Sequence, residues 1–518
     1  MRLSFAQYKD KVMGCWTGKN IGGVLGAPFE GKRQKVRIDN YQQDLSAGPP
    51  PNDDLDLQIV WLSAVEKYGR NVNAQILGEY WLSYVIPNWV EYGMGKANLR
   101  AGIVPPMSGV VDNVYKDSCG CFIRSEIWAC LAPGHPEIAA RYAYEDGIVD
   151  HGDEGVRGEI FFAALESAAF VESCPDTLLD IALSYIPDDC AVARAVQEAR
   201  TCYREGVDFW EARKRVHNLV PGTFGIQSCK ISEIDPEEKD LELGAPGFDA
   251  PENIAFAILG WLYGEGDFGK ALCLAVGCGE DTDCSGASLG ALLGILCGAS
   301  QIPEKWTKPL NDKIATLCID KTSRGVWVPD TVTQLADRLM RITPLFLGVS
   351  GCDLFAPGGY EILYQTDALF CPPKEEYLPF INGGGKSKEI PVRFLSGQSS
   401  HVVHYEALAF QVLVDYGEDS VFFEGQTPKV IRVTVMDTGL LCQQQWVRLK
   451  LYTPDHVIVE EGRTRLLPLN NLYQSKAETS FTLRTDEYDA SKLECILDVS
   501  LEARHSSLPI KITLMRRA

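Results

Sequence analysis

ENIAFAILGWLYG (residues 252–264) and ASLGALLGILCG (residues 287–298) are apolar nearly all the way round. A helix without a polar face belongs at the centre of a bundle. The second segment lies in the uncharged run from Cys284 to Pro303, whose apolar part is about half of the roughly 20 residues that a membrane span needs. Both are therefore predicted as buried core helices. Working outward, residues 6–26, 57–69, 73–86 and 158–172 repeat apolar side chains at three- and four-residue spacing, the signature of amphipathic helices. VPDTVTQLADRLMRITPLF (328–346) predicts the last long helix, starting just after Pro329.

After Gly348 the pattern changes. Pro, Gly and aromatic residues dominate up to about residue 400 and read as a linker or wrapping segment. Short alternating runs follow, among them ALAFQVLVDYG (407–417), KVIRVTVMD (429–437), WVRLKLYTP (446–454) and LECILDVSLEA (493–503). Strands at this spacing, separated by turn residues, predict a β-sandwich of about 120 residues. The expected organisation is an all-α helical bundle over residues 1–348, then a linker and a smaller β-sandwich domain over 349–518, the sandwich itself from about 400. A chain of 518 residues is in any case long for one core.

A net charge of −21 argues against a nucleic-acid backbone or an anionic membrane as the main partner. The 17 cysteines lack the density and regular spacing of a secreted disulfide framework, so reduced thiols and a cytoplasmic location are expected. The opening MRLSFAQYKDKVMG puts charges where a signal peptide requires an apolar stretch.

Two acidic turns precede apolar helices. In Pro50-Pro51-Asn52-Asp53-Asp54-Leu55-Asp56, three carboxylates fall within four residues. Gly277-Cys278-Gly279-Glu280-Asp281-Thr282-Asp283-Cys284-Ser285 repeats the arrangement at the mouth of a core helix. Either turn alone is explained by helix capping and the helix dipole. Together, on neighbouring helices, they make a carboxylate cage, and crowded carboxylates need protons or a cation. Hard divalent cations such as Mg²⁺ and Mn²⁺ prefer such oxygen ligands. Other motifs carry less. Cys119-x-Cys121 lacks a second Cys/His pair at zinc spacing. Gly383-Gly384-Gly385-Lys386-Ser387 imitates the end of a P-loop, but Phe380 stands where glycine is required. His401 and His404 flank the start of a predicted strand and read as structural, and His151 alone reads as a capping or core histidine.

With these residues in place, the chain resembles the ADP-ribosylglycohydrolase family, which carries an early Thr/Ser-Asp-Asp motif and a late Asp-x-Asp-Thr motif. Asn52-Asp53-Asp54 and Asp281-Thr282-Asp283-Cys284 occupy those places, with Asn52 and Cys284 standing where relatives carry hydroxyls. The run Gly14…Gly18…Gly22-Gly23…Gly26-Ala27-Pro28-Phe29-Glu30 looks like the family's opening helix, and residues 136–170 resemble its helix–His–helix unit. Cys119-Gly120-Cys121-Phe122-Ile123-Arg124 looks like its Asn-Gly-x-x-Met-Arg loop, without the Asn. The resemblance implies that Asn52, Asp53, Asp54, Asp281, Asp283 and Cys284 hold two Mg²⁺ or Mn²⁺ ions. It implies that Glu30, Asp54 and Asp283 serve catalysis, and that Cys119, Gly120 and His151 meet the substrate. The expected function is metal-dependent hydrolysis of a glycosidic, N-glycosidic by analogy, bond of an ADP-ribosyl or related ribosyl substrate, either a small molecule or an ADP-ribosylated partner. A nucleoside or O-glycoside hydrolase using the same cage, or an ADP-ribose-like ligand binder with degraded catalysis, fits the same residues.

Overall fold

The computed structural model describes residues 1–222, 247–319, 325–373, 391–424, 427–438, 441, 443–470, 475–485 and 491–517. The P-loop-like residues 383–387 lie outside them. The chain divides into two compact units.

The first unit is helical. Its opening helix, Phe5–Gly26, starts on a capping box made by Ser4 and Gln7. It packs antiparallel to Thr282–Cys297, backbone against backbone. A Cβ added at Gly14, Gly18 or Gly22 would lie 2.1, 1.9 and 1.9 Å from the carbonyl oxygens of Gly294, Gly290 and Gly286. Only glycine permits that approach, and the seam, with a glycine every four residues, ends where Thr282 Oγ1 donates to the Gly26 carbonyl at 2.8 Å. This contact brings residues 27–30 beside the second acidic turn. Ala250–Gly264 is buried at every position except Tyr263, and Thr282–Cys297 at every position except Cys284, Leu296 and Cys297. Both segments are central, as their composition predicts.

The last long helix, Val332–Gly351, is capped by Thr331 and loses helical geometry at Gly348, where φ is 70°. The chain does not become a linker at that point. Cys352–Asp353 and Glu361–Leu363 pair with Arg2–Leu3 in a three-stranded sheet, and Arg2 bridges Asp353 and Glu361 at 2.8 Å each. Residues up to 372 belong to the first unit.

The second unit holds two five-stranded sheets around one core. One sheet runs in the order 464–469, 445–452, 492–501, 507–516, 422–423; the other runs 402–406, 410–415, 429–437, 476–485, 457–459. Alternation sets the faces: Val447, Leu449 and Leu451 point into the core while Arg448, Lys450 and Tyr452 face outward. Residues 97–111 also belong to this unit, which departs from a single cut at 348. Ile103, Met107 and Val111 are buried in the sandwich core beside Phe410, Val433 and Leu497. Asn98 Nδ2 closes the segment by donating to the Ser108 and Val111 carbonyls at 2.9 and 2.7 Å.

Among the described residues every cysteine is a free thiol, and no helix is long and apolar enough to cross a membrane.

Candidate metal centre

The first acidic turn is shaped by its own asparagine. Asn52 Oδ1 accepts the Asp54 N–H at 2.7 Å, and the Asp53 carbonyl accepts the Asp56 N–H at 3.0 Å. Asp56, the first residue of the helix Asp56–Tyr68, takes no place in the cage: its Oδ2 accepts the N–H groups of Leu317 and Cys318. In the second turn the Asp281 N–H donates to Asn253 Oδ1 at 2.9 Å, and Asn253 Nδ2 is held by the Gly247 and Asp249 carbonyls. The two turns meet where Asn52 Nδ2 reaches Asp283 Oδ2 at 3.5 Å. Ligand atoms of Asp281, Asp283 and Cys284 lie within 4.8 Å of one another. Gly23 leaves room beneath, since a Cβ there would stand 3.0 Å from both Asn52 Nδ2 and Asp54 Oδ2.

Among the described residues, both Asp54 oxygens, Asp281 Oδ1 and Asp283 Oδ1 are buried with no hydrogen-bond partner. Buried carboxylates in that condition are costly as anions. Burial and then the charge of Asp283 drive Asp281 well up from its ordinary range, and burial and then Glu30 do the same to Asp283. Burial pushes Asp54 up to about 7, against the pull of Lys19. Glu30, exposed on its outer side, has its carboxyl turned in among Asp281, Asp53 and Asp54, and burial followed by those charges pushes it up to about 8. Oxygen donors with unsatisfied lone pairs fit a hard divalent cation.

The 119–124 loop lies against the same turn. Cys119 is buried, and its N–H donates to the Phe248 carbonyl at 2.9 Å. A Cβ on Gly120 would come within 2.1 Å of Glu91 Oε1, so glycine is what admits Glu91 here. Arg124 holds the loop from below, donating to the Gly120 carbonyl at 2.9 Å, to Asp146 and to Asp150. His151 is wholly buried, with Nε2 2.8 Å from Ser118 Oγ and 4.0 Å from Glu91 Oε1, and Nδ1 3.0 Å from Asp150. Its contacts are these residues rather than the cage carboxylates.

Several members escape sequence reasoning. Tyr92 donates its hydroxyl to Asp53 Oδ2 at 3.1 Å, and burial pushes its neighbour Glu91 up to about 7 while His151 pulls it down. Lys19 Nζ donates to Glu126 Oε1 at 2.7 Å, both side chains fully buried, and Gln58 Nε2 donates to Glu126 Oε2 at 2.9 Å. Lys19 thereby stands as a fixed positive charge behind Asp54. A lysine inside the glycine-rich stretch Gly14–Gly26 is the one signal that could have found it; Glu91, Tyr92 and Asn253 carry none.

A second group, His217, Glu252 and Glu280, also offers ligand atoms within 4.8 Å. A buried arginine already stands against it. Arg33 Nε donates to Glu280 Oε1 at 2.6 Å, His217 Nδ1 meets Glu252 Oε1, and Arg213 donates to the Cys278 carbonyl at 2.7 Å. A cavity of about 980 Å³, lined by Val36, Arg37, Trp210, Lys270 and Trp306 among others, contains none of the cage residues.

Fold and site together define a protein whose helical unit opens, at its central helices, on a buried carboxylate cluster that could hold divalent cations. The family model of the ADP-ribosylglycohydrolases matches residues 4–345, well over half of the chain, and the chain belongs to that family. The family is one of glycohydrolases. No curated protein matches the chain.

Proposed function

We propose that the protein is a divalent-cation-dependent glycohydrolase that cleaves the bond between a ribose-like sugar and its substituent, with ADP-ribosyl conjugates as the substrate class. The observation that carries this reading is the set of buried carboxylate oxygens on Asp54, Asp281 and Asp283 that lack partners among the described residues. Asp53, Asp54, Asp281 and Asp283 would hold the cations, with Asn52 beside them. Bound there, divalent cations supply Lewis acidity toward sugar hydroxyls and lower the pKa of a bound water.

The protein's own groups do the rest. Tyr92 and the Asn52 turn fix Asp53 and Asp54 in place. Asn253 fixes the backbone of Asp281. Glycoside cleavage passes through an oxocarbenium-like state, whose positive charge this preorganised acidic surface stabilises. Glu30, its carboxyl raised to about 8 by burial and the cage carboxylates, would hold a proton and give it to the departing substituent. His151 orients the 118–120 backbone through Ser118.

The test is turnover of a panel of ADP-ribosyl conjugates and simple ribosides, with chelator and with added Mn²⁺. Cation-dependent release of ADP-ribose, lost in Asp281→Ala, is expected. Turnover of ribosides alone would move the substrate to nucleosides, and tight ADP-ribose binding without turnover would make the protein a binder.

A further inference from the structure

Asp281 and Asp283 share their corner of the site with a thiol. Cys284 Sγ stands within 4.8 Å of ligand oxygens of both Asp281 and Asp283. Those two aspartates are at most 5% exposed, and each keeps one oxygen without a hydrogen-bond partner among the described residues. A cation seated on those oxygens therefore has sulfur within reach of its coordination shell. Mg²⁺ demands oxygen donors in near-octahedral geometry and gives up water reluctantly, whereas thiolate suits borderline cations such as Zn²⁺ and Co²⁺.

We propose that Cys284 is a metal ligand and that the site selects a thiophilic divalent cation such as Zn²⁺ or Co²⁺ over Mg²⁺. The inference rests on the cage binding a cation at all. On coordination the Cys284 thiol becomes a thiolate and its proton passes to solvent.

Titration of the metal-free full chain with Co²⁺ tests this directly. Sulfur-to-cobalt charge-transfer absorption in the near ultraviolet is expected in the unaltered protein, and Cys284→Ser should abolish it. In competition binding, the preference for Zn²⁺ over Mg²⁺ should fall at least tenfold in Cys284→Thr, which places an oxygen where sulfur stood. Cys119→Ser should retain the absorption band. Co²⁺ binding without charge-transfer absorption in the unaltered protein overturns the proposal, and that readout does not depend on any variant folding. An unchanged Zn²⁺/Mg²⁺ preference in Cys284→Thr overturns it equally. If Co²⁺, Zn²⁺, Mn²⁺ and Mg²⁺ all fail to bind, the proposed function falls along with it.

Discussion

Glu280 and Asp281 are neighbours in the chain and members of two different acidic groups. Glu280 sits with Glu252 and His217, and Arg33 donates to it from a residue that is itself fully buried. Asp281 sits with Asp283 and Asp54, each keeping at least one oxygen without a hydrogen-bond partner among the described residues, and with Asp53, which Tyr92 holds. The nearest fixed cation, Lys19, lies behind Asp54 and is already paired with Glu126. Both groups contain carboxylates of comparable burial. Burial raises carboxyls in both, to about 8 at Glu252 and about 7 at Asp54, but the first group is closed by a buried arginine while the second is open toward a ligand.

Removing a carboxylate from the open group should have the largest effect. Asp281→Ala or Asp54→Ala is expected to weaken divalent-cation binding by more than about 100-fold in calorimetric titration, beyond the 10–100-fold typical of outer-shell partners. Equal affinity in both variants would erase the distinction between the groups. In the closed group the expected loss is one of stability. Arg33→Ala leaves Glu280 buried without its main partner and should cost about 3–5 kcal/mol in urea unfolding. A loss below about 1 kcal/mol would mean that Glu280 is neutralised some other way.

Cation addition should raise the stability of the unaltered protein by about 2.7 kcal/mol at 100 times Kd. Without cation, pH should act in the opposite sense to that seen for ordinary salt-bridged carboxylates. Asp54 and Glu30 hold protons up to about 7 and about 8 in the folded chain, against ordinary values of 3.8 and 4.5. The folded state thus binds more protons than the unfolded one across that interval, and stability falls as pH rises from about 4 to about 8. Added cation should flatten this fall; an identical slope in its presence would show that the cage contributes nothing to it. The smallest effect is expected from Tyr92→Phe, which removes one hydrogen bond to Asp53 and should weaken cation binding about tenfold, in line with about 1.5 kcal/mol for a bond to a charged acceptor.

The two acidic turns are legible in the sequence because capping aspartates and apolar helices are local signals, and crowded carboxylates have an obvious physical problem. The glycine spacing from Gly14 to Gly26 is legible too, although its purpose as a backbone seam against Gly286, Gly290 and Gly294 becomes visible only in three dimensions. Glu91 and Tyr92 were not readable, since adjacent residues on a helix of mixed character carry no motif and their partners lie in other segments. Asp56 shows the converse: it shares the spacing of a ligand, yet the backbone at 317–318 claims it. Residues 349–372 read as a linker because short strands pairing with Arg2–Leu3 leave no periodicity long enough to detect.

The placement of residues 97–111 also has a consequence in time. They leave the ribosome early, while the strands that bury Ile103, Met107 and Val111 begin only at Val402. At roughly 5–20 residues per second, the intervening stretch of about 290 residues takes about 15–60 s to synthesise. Throughout that interval three apolar side chains in the middle of the helical sequence have no core to enter. The sandwich cannot close until the strand Ser507–Arg516 is made, so residues 97–111 wait for their core until long after the helices around them are complete.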